Sequence, residues 1–144
     1  MVPQRILLVD DDPMLVHLLA RTLQKHGYVV DTAVDGQDGL EKALALHPDL
    51  LVLDVMMPRM NGYEVCHHLR CHPETAETPI LIITSLGSAG GPAGSPAPTH
   101  TDAIHHYRQR ALAAGANDFL AKPVRPQALL ERIQQVRQNA PIAQ

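Results

Sequence analysis

Several short apolar runs in this chain end in residues able to do phosphate or metal chemistry. Ile6 to Val9 runs into Asp10, Asp11 and Asp12, Leu50 to Leu53 into Asp54, and Ile80 to Ile83 into Thr84, while the stretch Phe119 to Ala121 leads into Lys122-Pro123. If those ends converge, Asp10, Asp11 and Asp54 form a group of like charges that a cation must neutralise. A hard, oxygen-seeking ion such as Mg²⁺, with Mn²⁺ as a substitute, meets that need and keeps sites open for phosphate oxygens. One carboxylate can then attack phosphorus to give an aspartyl phosphate. The Lys122 ammonium and the Thr84 hydroxyl would hold the remaining phosphoryl oxygens and stabilise the charge that moves during transfer.

Convergence depends on the elements between these residues. Short continuous apolar runs suit strands covered on both faces. Pro13 fits the first position of a helix with Asp12 as its cap, and Leu15, Leu18, Leu19, Thr22 and Leu23 recur at helical spacing until Gly27. Tyr28 to Ala33 reads as a strand, Asp35-Gly36 as a turn, and Gly39 to Leu46 as a helix. Asn61-Gly62 opens a helix through about Arg70, Thr101 or Asp102 caps one running through Ala113, and Pro126 to about Gln138 is the last. Five strands alternating with five helices predict a parallel sheet with helices on both sides, because parallel strands need crossover connections. Ligands of such sheets bind beyond the carboxyl ends of the strands, where these polar residues lie.

The 144 residues suit one domain, and 45% hydrophobic and 19% charged residues with a net charge of −3 are ordinary for a globular protein. That balance does not call for nucleic acid or membrane as a partner. Cys66 and Cys71 are too few for a disulfide framework or a four-ligand zinc pattern, which favours a reduced setting. The first residues leave no room for the apolar stretch of a signal peptide before Asp10, and no segment nears the ~18 apolar residues of a membrane span, so a soluble, cytoplasmic protein is expected. The nine histidines include His67, His68 and His72, and His100, His105 and His106. Neither group has an obvious cysteine or carboxylate completing a site, so they are expected to be solvated surface residues. Cys66 is expected to be half-buried on its helix.

The stretches ILLVDDDP (6–13), LLVLDVMMPRMNGYEV (50–65), PILIITS (79–85) and GANDFLAKP (115–123) together resemble the receiver domains of bacterial two-component response regulators. The resemblance extends from about Arg5 to Gln138. It implies a three-layer, doubly wound (βα)5, flavodoxin-like α/β fold with strand order 2-1-3-4-5. It also implies that Asp54 is the phosphoacceptor, that Asp11 binds Mg²⁺ directly and Asp10 largely through water, and that the Met56 backbone carbonyl contributes to the metal. Thr84 and Lys122 would bond the phosphoryl group, Lys122-Pro123 would be a cis peptide, and Phe119 would be the aromatic switch whose ring swings inward. The partners implied are a sensor histidine kinase or phosphotransfer protein as donor and a downstream protein or output domain reached through helix 4, strand 5 and helix 5. Met56 and Leu86 stand where the family tunes attack by water, and suggest a phosphate that is not very short-lived.

The chain departs from the family at GSAGGPAGSPAPTHT, Gly87 to Thr101, a Gly/Ala/Ser/Pro-rich stretch expected to be a flexible insertion within a receiver domain of residues 1–139, followed by a tail at 140–144. Two readings stay open, a free-standing regulator acting through protein contacts, which is favoured, and a receiver cut from a longer protein. Three rival functions are weaker. A pseudo-receiver that is not phosphorylated would normally lack one of the five site residues. A haloacid-dehalogenase-like phosphatase fits Asp10 and Asp12 but not Pro13 and Met14. A flavodoxin-like binder lacks the ring-stacking residues.

Overall fold

Apolar runs without a polar interruption can only be satisfied between two helical layers, and the computed structural model, which describes residues 4–85 and 100–139, places them there. The elements in order are β1 (Arg5–Val9), α1 (Pro13–Lys25), β2 (Val29–Ala33), α2 (Gly36–Leu46), β3 (Leu50–Asp54), α3 (Gly62–Cys71), β4 (Ile80–Ser85), α4 (His100–Ala114), β5 (Asp118–Lys122) and α5 (Pro126–Asn139). All neighbouring strands pair in parallel in the order β2-β1-β3-β4-β5, the expected doubly wound, flavodoxin-like α/β arrangement.

Alternate strand residues feed two cores. Leu7, Val9, Leu51, Leu53, Ile80 and Ile82 pack with Val65, Leu69 and Ala111 under α3 and α4. Ile6, Leu8, Leu50, Val52, Leu81 and Ile83 pack with Leu19, Leu23, Leu129 and Ile133 under α1 and α5. Each such side chain contributes about 1.5–3 kcal/mol relative to exposure, enough to fix the register of the central strands. The edge strand β2 is only partly covered, and its Asp31 pairs with Arg5 of β1 at 3.2 Å.

Local chemistry corrects three sequence expectations. Asp35 and Gly36 are not a separate turn. The Asp35 carboxylate accepts the Asp38 N–H at 2.8 Å and caps α2, which therefore starts at Gly36 rather than Gly39. The α4 backbone is already helical at His100, so Thr101 and Asp102 fall inside its first turn rather than capping it, and the expected insertion loses its last two residues to that helix. Leu86 and the rest of the insertion, and the tail at 140–144, lie outside the described residues. Cys66 faces the core fully buried rather than half-buried, because it shares the inward stripe of α3 with Val65 and Leu69.

Two contacts hold α3. At its start, a Cβ on Gly62 would lie 2.3 Å from the Asp54 carbonyl oxygen, so only glycine lets this turn approach the end of β3. At its far end Arg70 donates to the carbonyls of Gly115 (2.8 Å), Thr75 (3.2 Å), Ala76 (3.1 Å) and Thr78 (2.6 Å), and to the Asn117 side chain (3.0 Å). Its planar fork thereby ties the α3–β4 and α4–β5 connections together, a geometry that a lysine cannot reproduce. Arg70→Ala should lower unfolding stability by roughly 2–4 kcal/mol, with Arg70→Lys recovering less than half, read as urea midpoints at unchanged slope.

Candidate functional site

The carboxyl ends of β1, β3, β4 and β5 bring Asp10, Asp54, Thr84 and Lys122 together on four successive strands of the sheet. Asp10, Asp54 and Thr84 are 1–2% exposed. Asp10 is anchored on one side, its Oδ1 accepting the Asp12 N–H at 3.0 Å while Asp12 caps α1 through the N–H groups of Met14 and Leu15. The triplet Asp10-Asp11-Asp12 therefore divides its labour, with the third residue ordering the helix and the first.

Lys122 Nζ lies 2.9 Å from Asp10 Oδ2 and 3.3 Å from Asp54 Oδ1. These distances define ion pairs, yet neither oxygen has an aligned hydrogen-bond donor among the described residues. One ammonium shared between two carboxylates leaves lone pairs open in a buried place. Burial first, and then the Asp10 charge, push the Asp54 carboxyl up from 3.8 to about 6 against the lowering pull of Lys122. Burial alone would lower the Lys122 pKa, but the Asp10 and Asp54 carboxylates outweigh it and raise it.

Asp11 stands exposed at the mouth, and one carboxylate oxygen each of Asp10, Asp11 and Asp54 lies within 4.8 Å of the others. Three oxygen donors, two of them carrying open buried lone pairs, suit a small hard cation. Met56 follows Asp54 by two residues in the loop leaving β3, with its side chain 70% exposed. That loop closes on itself, the Gly62 N–H donating to the Val55 carbonyl at 3.0 Å. The Thr84 hydroxyl makes one long bond, donating to the Ser85 carbonyl at 3.3 Å. The Lys122–Pro123 peptide is cis. The Phe119 ring is buried in the core beneath α3 and α4.

Sequence reasoning missed a cleft of about 460 Å³ beside the acidic pair, lined by Pro13, Val16, His17 and Ala20 of α1 and Thr32, Ala33 and Val34 at the end of β2. Its walls come from side chains whose spacing is ordinary for a helix and an edge strand, so no local signal announced it. His67, His68 and His72 are exposed as expected, and one turn of α3 brings Cys71 Sγ to 3.9 Å from His67 Nε2, a proximity the sequence reading did not single out.

The family model described as the response regulator receiver domain matches residues 6–90, from β1 past the end of β4. The chain belongs to that family. It is 37% identical over 129 residues to RpaA, a DNA-binding dual master transcriptional regulator of Synechocystis sp., covering 90% of this chain and 47% of RpaA. It is 35% identical over 137 residues to the response regulator ArlR of Staphylococcus aureus, covering 95% of this chain and 54% of ArlR. The chain thus spans about half the length of these relatives. The solved chemotaxis response regulator CheY4 of Vibrio cholerae is 33% identical, with a TM-score of 0.77 over 94% of this chain and 99% of that one. Receiver domains are regulatory rather than classical enzymes, and Mg²⁺ binding at an acidic pocket is typical of them. Among the described residues no helix is long and apolar enough to cross a membrane.

The raised Asp54 pKa sets a sign for stability. Between 3.8 and about 6 the metal-free folded state keeps a proton that the unfolded chain releases, so the contribution of Asp54 falls as pH rises through that window and stays low above it. Asp54→Asn should therefore raise the melting temperature of metal-free protein at pH 7 by several degrees, an effect bounded by about 3 kcal/mol and absent near pH 4. Millimolar Mg²⁺ should stabilise the unsubstituted protein and have less effect on the variant.

Proposed function

We propose that this receiver domain is a Mg²⁺-dependent phosphorylation switch in which Asp54 accepts the phosphoryl group. The observation that carries the reading is the buried pair Asp10 and Asp54, bridged by Lys122 and left with open carboxylate lone pairs. When bound, Mg²⁺ would neutralise the carboxylates of Asp10, Asp11 and Asp54, with the Met56 carbonyl as a further ligand, and hold phosphoryl oxygens.

The protein's own groups account for the rest. An ionised Asp54 oxygen attacks phosphorus as the bond from phosphorus to the donor breaks, and the electron pair of that bond leaves with the donor, the imidazole of a kinase or phosphotransfer protein or the carboxylate of a small acyl phosphate. Lys122, already 3.3 Å from Asp54 Oδ1, needs little movement to pair with a phosphoryl oxygen. Thr84 gives up only a long hydrogen bond to turn its hydroxyl toward the same group. The added charge of about −1.5 to −2 draws both side chains inward, and Phe119, behind Thr84 on the neighbouring strand, follows as the switch that alters the surface of α4, β5 and α5. Chemical roles beyond phosphoryl uptake and self-dephosphorylation are not part of this reading.

In this proposal the receiver occupies residues 1–139 with the insertion between β4 and α4, works in the cytoplasm, takes phosphate from a sensor histidine kinase or phosphotransfer protein, and passes the signal to a protein partner or output domain. Incubation with Mg²⁺ and a small acyl phosphate should give one hydroxylamine-sensitive phosphoryl adduct by intact mass. It should vanish in Asp54→Asn or with chelator, and its rate of formation should fall by about 10²–10³ in Lys122→Ala. Steady phosphate release without an adduct would point instead to a hydrolase, and no adduct with any donor to an interaction module that is not phosphorylated.

A further inference from the structure

The C-terminal part of α3 reads His67-His68-Leu69-Arg70-Cys71, with His72 following as its extended C-cap. Residues four apart share a helix face, and here His67 Nε2 and Cys71 Sγ are 3.9 Å apart on exposed residues. A tetrahedral zinc ion at ~2.3 Å from sulfur and ~2.0–2.1 Å from an imidazole nitrogen spans roughly 3.6 Å between its two donors. The pair therefore needs only a few tenths of an ångström of side-chain adjustment to chelate.

We propose that His67 and Cys71 form a surface chelate for a borderline-soft divalent cation, zinc by its chemistry, separate from the acidic pocket. Imidazole and thiolate favour such an ion over Mg²⁺, which takes oxygen ligands. The carbonyl end of a helix carries partial negative charge, so a cation seated on this turn is favoured further. The turn is also held in place, because Arg70 between the two ligands is bound to four backbone carbonyls on its inner side. Cys66 does not compete, since it is fully buried with its thiol pushed up to about 11 by that burial. Among the described residues no third histidine, cysteine or carboxylate is grouped with this pair, so water completes the coordination. Binding displaces the Cys71 thiol proton to solvent. Nine residues of helix, ~14 Å, separate Cys71 from Gly62 beside Asp54, so the two ions occupy opposite ends of α3.

The test is a titration of the whole chain with Co²⁺, the coloured stand-in for zinc, under reductant and saturating Mg²⁺. Expected is a sulfur-to-cobalt charge-transfer absorption that saturates at one equivalent and is displaced by Zn²⁺. Cys71→Ala should abolish it and His67→Ala should weaken binding at least ~10-fold, about 1.4 kcal/mol. His68→Ala and Asp54→Asn should leave it intact. Absence of the sulfur band, or an unchanged affinity in His67→Ala, overturns the chelate. Saturation at half an equivalent with dimer formation overturns the single-chain, water-completed site in favour of one shared between two copies.

Discussion

A single lysine ammonium facing two buried carboxylates is the contact around which the rest of this structure is arranged. Lys122 answers Asp10 and Asp54 together, so the buried trio carries net negative charge before Asp11 at the mouth is counted. Burying charge is costly unless it is paired, and here the pairing is deliberately incomplete in number. Burial first, and then the Asp10 charge, raise the Asp54 pKa by more than Lys122 lowers it.

The topology makes this imbalance affordable. Strand order places β1, β3, β4 and β5 side by side, so the residues just beyond four parallel strands meet without any long loop having to deliver them. The central strands are fully buried on both faces, and their packing sets the edge on which the charges stand. β2, at the rim, contributes backbone instead, the Ala33 carbonyl accepting the Asp10 N–H at 3.2 Å. Helix starts do the fine positioning. Asp12 orders both α1 and Asp10, and the bare Gly36 and Gly62 let α2 and α3 come against the loop after Asp54, where a Cβ would lie 2.1 Å from the Met60 carbonyl oxygen and 2.3 Å from that of Asp54.

Much of this was legible in the residues because apolar run and chemical terminus are adjacent in sequence. Ile6 to Val9 followed by Asp10, and Leu50 to Leu53 followed by Asp54, announce both a buried strand and what stands at its end. The weaker signals lay where side-chain geometry decides. Asp35-Gly36 has the composition of a turn, yet the Asp35 carboxylate finds the Asp38 N–H and begins a helix instead. Arg70 stands at the end of a helical pattern, and its five bonds to two distant connections depend on tertiary neighbours that no local pattern encodes. The cleft between α1 and β2 and the approach of Cys71 to His67 are likewise products of three-dimensional adjacency.

The helix α3 connects the two proposed sites, and its anchoring decides whether they can communicate. Its first residue is seated against the backbone of Asp54 and Val55, and its last turn is fixed by Arg70 to the connections that lead into β4 and β5. Coupling between two sites requires an element with two arrangements that both ligands bias. A helix clamped at both ends offers only one arrangement unless a clamp yields. The clamp nearer α4 and β5 is Arg70, whose bonds to Gly115 and Asn117 reach the turn between those elements. If the proposed phosphoryl switch shifts α4 and β5, Arg70 is the side chain that links that shift to the Cys71 turn.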